Sequence, residues 1–177
     1  MKPDEFDLER TERVAIIGNG NIACDMSRIL LRDVNDLKTS DAPQPVLDQL
    51  ARSNVHCIEM IGRRGITQAA FTTKEIKELC NLEGITTYMI KHEVDDSLND
   101  ASKLELLLRG IGRRTDFLKE KSLAIETPEQ YLHVVNDKSK KKLILRFLRN
   151  PVEFYKKGDR IGGVKLKRMK LIGETEN

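Results

Sequence analysis

The sequence predicts a three-layer α/β fold, in which a parallel sheet is followed by an antiparallel β-meander. The first reason is the run Val14–Ile17, which is apolar without alternation, as in a strand covered on both faces. The second is that apolar runs and helical patterns alternate through the first half of the chain. The third is that the last third alternates apolar and polar residues, which is typical of half-exposed antiparallel strands.

The first half of the chain predicts three strands with helices between them. A helix after the first strand is indicated by Ile22, Met26 and Ile29, which recur at helical spacing. Thr72 or Thr73 is a suitable N-cap for a later helix. In order, we predict a strand over 14–17, a helix over 21–32, a loop over 33–45, a short helix over 46–51, a strand over 55–61, a helix over 71–79 and a strand over 86–90.

The second half is less regular. We predict an acidic loop over 93–102, and a helix that begins within 104–108 and ends in Arg109, Arg113 and Arg114. A lysine-rich turn over 138–142 follows, and then three strands over 142–147, 152–155 and 163–171. Residues 1–12 are predicted to be a lead-in, and residues 13–177 one domain.

Composition limits the classes of protein that need to be considered. The 177 residues suffice for one well-packed domain. No stretch approaches the roughly 18 apolar residues that a membrane span needs. A net charge of +3 is too small to favour a nucleic-acid partner. The acidic, polar N-terminus resembles neither a secretory signal nor a transit peptide, so we expect no targeting segment.

Three cysteines, Cys24, Cys57 and Cys80, are widely spaced, and none belongs to a CxxC pair. We interpret them as reduced thiols in the core, which fits a reducing intracellular compartment better than a metal site or a disulfide framework.

A glycine-rich turn follows the first predicted strand and opens the first helix. Gly18–Ala23 matches G-x-G-x-x-A. Gly18 permits the tight turn, Gly20 allows a pyrophosphate to approach the backbone, and Ala23 allows close packing of helix and strand. The first-turn amides of the helix then face the anion. The alternative is a tight turn without a ligand. The candidate phosphate-binding residues are Gly18, Asn19, Gly20, Asn21 and Ile22.

Arg63 and Arg64 end the second predicted strand, where an NAD-binding Rossmann domain carries an acid. Paired guanidiniums bind a 2′-phosphate, which an acid would repel, so the pair favours NADP over NAD. The alternative is that two surface arginines end a loop. The interval from Gly20 to Arg63 is about twice the usual one of roughly 20 residues, so we expect the insertion 33–52 to loop out at the sheet edge.

Four sequence blocks carry a resemblance to a known family. Val14–Leu31 and Gly62–Glu78, with its GRRG, QAAFT and KE elements, are the more specific ones; Glu105–Arg109 and Leu145–Pro151 are weaker. Together they resemble the NADP-binding domain of adrenodoxin-reductase-type ferredoxin–NADP⁺ reductases. The fold implied is a Rossmann-like three-layer NADP-binding domain.

The resemblance implies roles for several residues. The glycine turn would hold the pyrophosphate, with Asn21 near the nicotinamide side, and Arg63 and Arg64 would bind the 2′-phosphate. Glu75 would lie close to the nucleotide; the alternative is a carboxylate that stabilises the start of a helix. Ile66 stands where the family usually has proline, which implies a looser loop here.

The resemblance also implies partners. Family members are flavoproteins that pass electrons from NADPH through FAD to an iron–sulfur protein of the ferredoxin or adrenodoxin type, and a mitochondrial location follows from the same likeness. Arg109, Arg113 and Arg114 are candidates for docking that acidic partner. The family's basic run before them is replaced here by 100–103, which favours a solvated helix end instead.

Only one dinucleotide turn is present in the sequence, so we predict NADP binding without FAD in this chain, and no catalytic acid, base or nucleophile. The chain would then be inactive without an FAD domain. Two alternatives are a stand-alone NADP(H)-binding or sensing module, and the equivalent domain of another flavoprotein, of the glutamate-synthase or thioredoxin-reductase type. The GRRG–QAAFT–KE block argues against the second.

Overall fold

A computed structural model of the chain describes residues 8–173. Residues 1–7 of the predicted lead-in and residues 174–177 of the predicted domain lie outside the described residues. The described end of the lead-in packs against the domain. Leu8 contacts the apolar core, and its carbonyl accepts from the backbone N–H of Asn54 at 3.0 Å.

Seven strands and eight helices are found in the described residues. Their bounds are β1 Arg13–Ile17, α1 Asn21–Leu31, α2 Val34–Leu37, α3 Gln44–Ala51, β2 Cys57–Ile61, α4 Thr73–Cys80, β3 Ile85–Ile90, α5 Lys91–Asp96, α6 Asp100–Glu105, α7 Arg109–Lys121, β4 Leu123–Ile125, α8 Pro128–Asn136, β5 Lys141–Arg146, β6 Arg149–Lys157 and β7 Arg160–Arg168.

The strands form two sheets. Five parallel strands follow the order β1-β2-β5-β3-β4, and β6 pairs with β7 in a separate antiparallel ribbon. The predicted α/β class, with a parallel sheet and an antiparallel C-terminal segment, is therefore confirmed.

Apolar residues are buried on both faces of the parallel sheet. On one face, α1, α4 and α7 contribute buried residues such as Cys24, Ile76 and Leu118 to the larger core. On the other, α8 packs through Val135 against Ile144 and its neighbours. This gives the three predicted layers. All three cysteines are free and buried, as expected of core thiols, and desolvation raises the pKa of Cys57 and Cys80 to about 11 and that of Cys24 to about 12.

Strand β1 differs from its prediction. It was expected to be covered on both faces, but it is one of the two edge strands of the described sheet, and its residues alternate between exposed and half-buried. Val14 and Ile16 contact the core beneath α1, whereas Ile17 is 47% exposed. A short apolar run therefore did not distinguish an edge strand from a central one.

Two predicted loops contain helices. The segment 33–45 includes α2, which Asp33 caps by accepting from the Asn35 N–H at 2.8 Å, and the start of α3. The acidic segment 93–102 contains most of α5 and the start of α6, whose cap Asn99 accepts from Ser102 N at 2.8 Å. Acidic residues near a cap stabilise a helix start, so the composition that indicated a loop fits short capped helices.

The predicted helix that ends in Arg109, Arg113 and Arg114 is wrong. Residues 106–108 form a turn, and α7 begins at Arg109 and runs to Lys121, so the three arginines lie in its first half. Gly110 and Gly112 lower the helix propensity of this segment and obscured the helix start. The elements β4 and α8 had no prediction, although Thr127 and Gln130 form a capping box with Pro128 at the first helical position.

The segment predicted as the first antiparallel strand is a central parallel strand. β5 lies between β2 and β3, and its Leu143, Ile144 and Leu145 are completely buried. Lys141, which was predicted in the turn, also belongs to β5, and the ammonium group of Lys142 donates to the carbonyl of Lys140 at 2.9 Å. The antiparallel segment thus consists of two strands, β6 and β7, instead of three.

Candidate nucleotide-binding site

The glycine turn leaves the C-terminal end of β1 and enters α1. Gly18 has φ +124°, a conformation that residues with a side chain rarely adopt, and its N–H donates to the carbonyl of Ile61 at 2.8 Å. Gly20 is different: its backbone is extended, with φ −123°, and a Cβ built there would meet only the Cβ of Ala70, at 3.9 Å. The fold therefore requires glycine at 18 but not at 20.

The first turn of α1 is open to an external acceptor. Gly20 is the N-cap and provides no side-chain hydrogen bond. The first amides of a helix have no acceptor within the helix, so those of Asn21 and Ile22 are free to bind an anion. The side chain of Ile22 is 81% exposed, whereas Ala23 is buried against the core. The packing predicted for Ala23 is present.

The two asparagines of the turn connect it to the loop before α4. The carbonyl of Asn19 accepts from the N–H of Ala70 at 2.7 Å and of Phe71 at 3.1 Å. The Oδ1 of Asn21 accepts from the N–H of Thr72 at 2.7 Å, and Thr72 is the N-cap of α4. These bonds place the start of α4 beside the start of α1.

Arg63 and Arg64 follow the end of β2, and both side chains are exposed. Within residues 8–173, neither guanidinium makes a hydrogen bond or an ion pair. Their backbone, in contrast, is held in place: the carbonyl of Gly62 accepts from Arg149 N at 2.9 Å, and that of Arg64 accepts from Leu148 N at 3.1 Å. Two unpaired guanidiniums thus project from a fixed loop.

The parallel pairing of β1 and β2 brings these features together. Ile17 lies opposite Ile61 in the register, so the glycine turn and the arginine pair emerge from neighbouring strands at the same edge of the sheet. Helix N-termini and guanidiniums both favour phosphate oxygens. The arrangement suits a ligand with two separated phosphate groups.

Glu75 lies in the first turn of α4 and faces α1. Its carboxylate pairs with Arg28 at 2.8 Å, and Arg28 also contacts Asp25 and Glu78. The N–H of Glu75 donates to the hydroxyl of Thr72 at 3.2 Å. Its position in the first turn of α4 fits the alternative role of a carboxylate that stabilises a helix start, and a contact between Glu75 and a nucleotide stays a prediction.

Arg114 has a structural role that its sequence context did not indicate. It was a docking candidate, but it is only 8% exposed, and it donates to the carbonyls of Thr67 at 2.8 Å and Phe71 at 2.9 Å. Its guanidinium also lies over the Phe71 ring, 5.4 Å from the centroid, and burial lowers its pKa. Arg114 therefore holds the loop that contacts the glycine turn. Arg109 and Arg113 are exposed, and their docking role stays a prediction.

Replacing Arg114 tests this role. We expect Arg114→Met to lower the free energy of unfolding by about 2–3 kcal/mol, because two buried carbonyls lose a charged donor. Ligand binding at the glycine turn should weaken as well, since the loop at Phe71 is released. Urea titration measures the first effect, and Arg113→Met is the matched control, which should change stability little. Equal stability of the two variants would contradict the assignment.

Neither a membrane span nor a metal site is indicated in the part of the chain that the structure describes. No helix there is long and apolar enough to cross a membrane, and no group of three or more potential metal-binding side chains is found there.

The fold and the glycine turn together define the class of protein. It is a Rossmann-like α/β domain whose first strand, turn and helix have the arrangement that binds phosphate groups in such domains. No protein-family model matches the chain. Individual proteins do, and they confirm the resemblance to the adrenodoxin-reductase-type family. The mitochondrial NADPH:adrenodoxin oxidoreductase of Salvelinus fontinalis is 37% identical over 167 residues, which is 93% of this chain and 32% of that protein. The human protein of the same name is 31% identical, over 98% of this chain and 35% of its own length.

A solved structure agrees with these sequence matches. FprA from Mycobacterium tuberculosis in complex with NADPH has a TM-score of 0.69 and 29% identity, over 92% of this chain and 36% of FprA. The chain thus spans about a third of the length of the relatives that it matches. Several relatives are named mitochondrial, while FprA is bacterial.

Proposed function

We propose that the chain is the NADP(H)-binding domain of a larger flavoprotein. That protein passes electrons from NADPH through FAD to an iron–sulfur protein of the ferredoxin or adrenodoxin type. When bound, NADPH supplies the hydride, and FAD belongs to polypeptide other than these 177 residues. The names of the relatives support the acceptor class, and the mitochondrial relatives support a mitochondrial location.

One observation carries the proposal. Gly20 is a glycine that neither the backbone conformation nor the packing of this chain requires, and it adjoins open helix amides. A bound pyrophosphate would explain why this residue is glycine, because a Cβ would fill the space that the ligand needs. The free guanidiniums of Arg63 and Arg64 on the neighbouring strand suit the 2′-phosphate.

The residues in this proposal bind and orient; none performs a chemical step. The amides of Asn21 and Ile22 would receive the pyrophosphate, and Arg63 and Arg64 the 2′-phosphate. Through its ion pair with Arg28, Glu75 would also hold α4 against α1, while its direct contact with the nucleotide stays a prediction.

Calorimetric titration with NADPH and NADH tests the proposal. We expect NADPH to bind at least about tenfold more tightly, because only NADPH engages the two arginines. The purified chain should also be colourless, since we expect no flavin to bind to it. Absence of NADPH binding would refute the proposed function. A yellow protein with stoichiometric FAD would refute the proposal that this chain binds NADP(H) and that FAD is bound by a different domain.

The stand-alone NADP(H)-binding module predicts the same titration, so a second measurement separates the two proposals. Adding the flavin-binding remainder of the gene product, if the gene encodes one, should give NADPH-dependent reduction of a ferredoxin. Coding sequence without any flavin-binding region would favour the module.

A further inference from the structure

Glu93 in α5 is a buried carboxylate outside the proposed nucleotide contacts. It is 1% exposed. Its Oε1 accepts from Nη2 of Arg146 at 2.8 Å and from Nε of Arg149 at 2.8 Å, and its Oε2 accepts from the backbone N–H of Phe147 at 2.9 Å. One carboxylate thus accepts hydrogen bonds from three residues of the segment 146–149.

The segment 146–149 fixes both halves of the proposed site. The carbonyl of Arg146 accepts from the Gly62 N–H and from the Asn19 side-chain amide, each at 3.0 Å. The amide of Leu148 donates to the carbonyl of Arg64, and that of Arg149 donates to the carbonyl of Gly62. The loop of the arginine pair and the glycine turn are therefore both hydrogen-bonded to these four residues.

Leu148, within this segment, has φ +54°, the only positive φ of a non-glycine residue in the described chain. Such a conformation costs energy and persists only where surrounding contacts enforce it. Glu93 bonds to residues on both sides of Leu148, through Phe147 N and Arg149 Nε. The carboxylate therefore stabilises the backbone of residues 147–149, whose amides at 148 and 149 hold the loop that carries Arg63 and Arg64.

We propose that Glu93 is a positioning residue that determines selectivity for the 2′-phosphate. It fixes the position of Arg63 and Arg64 relative to the glycine turn, so that one nucleotide can contact the turn and the arginine pair at the same time. This inference rests on the proposed function. Its consequence is that a buried acid, which touches no nucleotide, is required for the preference for NADPH over NADH.

The test is Glu93→Gln, with Asp95→Asn as the matched control on the same helix. Asp95 is exposed and pairs only with Lys91 in the described residues. Each variant removes one negative charge, which by electrostatics alone strengthens the binding of an anion. We expect Glu93→Gln instead to weaken NADPH binding about tenfold, with NADH little changed, while Asp95→Asn keeps the selectivity.

Folding of the variant is checked by circular dichroism and thermal unfolding. Arg146 keeps its bond to Glu59 at 2.9 Å, which favours a folded variant. If Glu93→Gln does not fold, Glu93→Asp is the replacement variant. It keeps the negative charge on a shorter side chain, and we expect a selectivity for NADPH that is reduced but not lost. Unchanged or increased selectivity in a folded Glu93 variant overturns the inference. Wild-type protein without a preference for NADPH overturns the proposed function itself.

Discussion

Gly20→Val is expected to abolish NADPH binding while the domain stays folded. We expect the fold to tolerate the side chain, because the backbone at 20 is extended and an added Cβ would meet only the Cβ of Ala70, at 3.9 Å. Valine is a poor N-cap, so a loss of about 1 kcal/mol in the free energy of unfolding is expected. Pyrophosphate binding is not expected to tolerate the side chain, because the valine methyl groups would occupy the space beside the turn that the phosphates need. Calorimetry should show a loss of more than about 10²-fold.

Two other glycines serve as controls for this variant. Gly173 has open surroundings and no positive φ, so Gly173→Val should leave both stability and binding unchanged. Gly18 has φ +124°, so Gly18→Val should lower stability first, with binding lost as a result. A folded Gly20→Val protein that binds NADPH like the wild type would show that the phosphates lie elsewhere.

The positions of the glycine turn and of the arginine pair were predictable because each follows a strand that is recognisable from the local sequence. Gly18, Gly20 and Ala23 lie within one strand–turn–helix, and Arg63 and Arg64 directly follow the next strand of the sheet. The parallel pairing of Ile17 with Ile61 then brings the two together. A sequence that specifies two adjacent strands thereby also specifies which loops are neighbours.

The residues that hold these loops were not predictable, because their contacts are distant in sequence. Arg114 contacts Thr67 and Phe71, more than forty positions away, and Glu93 contacts Phe147 and Arg149 at a still larger separation. In the sequence, each is an ordinary charged residue. Only the tertiary structure shows that these two side chains are buried and hydrogen-bonded instead of solvated.

The position of β5 illustrates the same limit at the level of the fold. Its sequence begins with Lys141 and Lys142 and ends with Arg146, as half-exposed strands often do. In the sheet, the charged ends are satisfied by other partners: Lys141 donates to the carbonyl of Leu31 at 2.9 Å, and Arg146 pairs with Glu93. Charges at the ends of a strand therefore do not exclude a central position.

Replacing both Arg63 and Arg64 by alanine is expected to remove the preference for NADPH. Each charge-assisted bond to a dianionic phosphate contributes on the order of 1.5–3 kcal/mol, so NADPH binding should weaken by about 10²-fold or more. NADH lacks the 2′-phosphate, and its affinity should change little. Because both side chains are exposed, the difference between wild type and variant should shrink as salt is added. Dissociation constants for both nucleotides, at low and physiological ionic strength, measure these effects.

The matched control is the double variant Arg109→Ala/Arg113→Ala, which removes the same charge from exposed positions on α7. If selectivity depends on contact with the 2′-phosphate, this control keeps it, and any loss of affinity is shared by NADPH and NADH. If it instead reproduced the effect of the Arg63/Arg64 variant, the preference would come from the general positive field. Equal losses for both nucleotides in the Arg63/Arg64 variant would mean that the pair supports the loop without recognising the phosphate. No loss for either would place the nucleotide at another site.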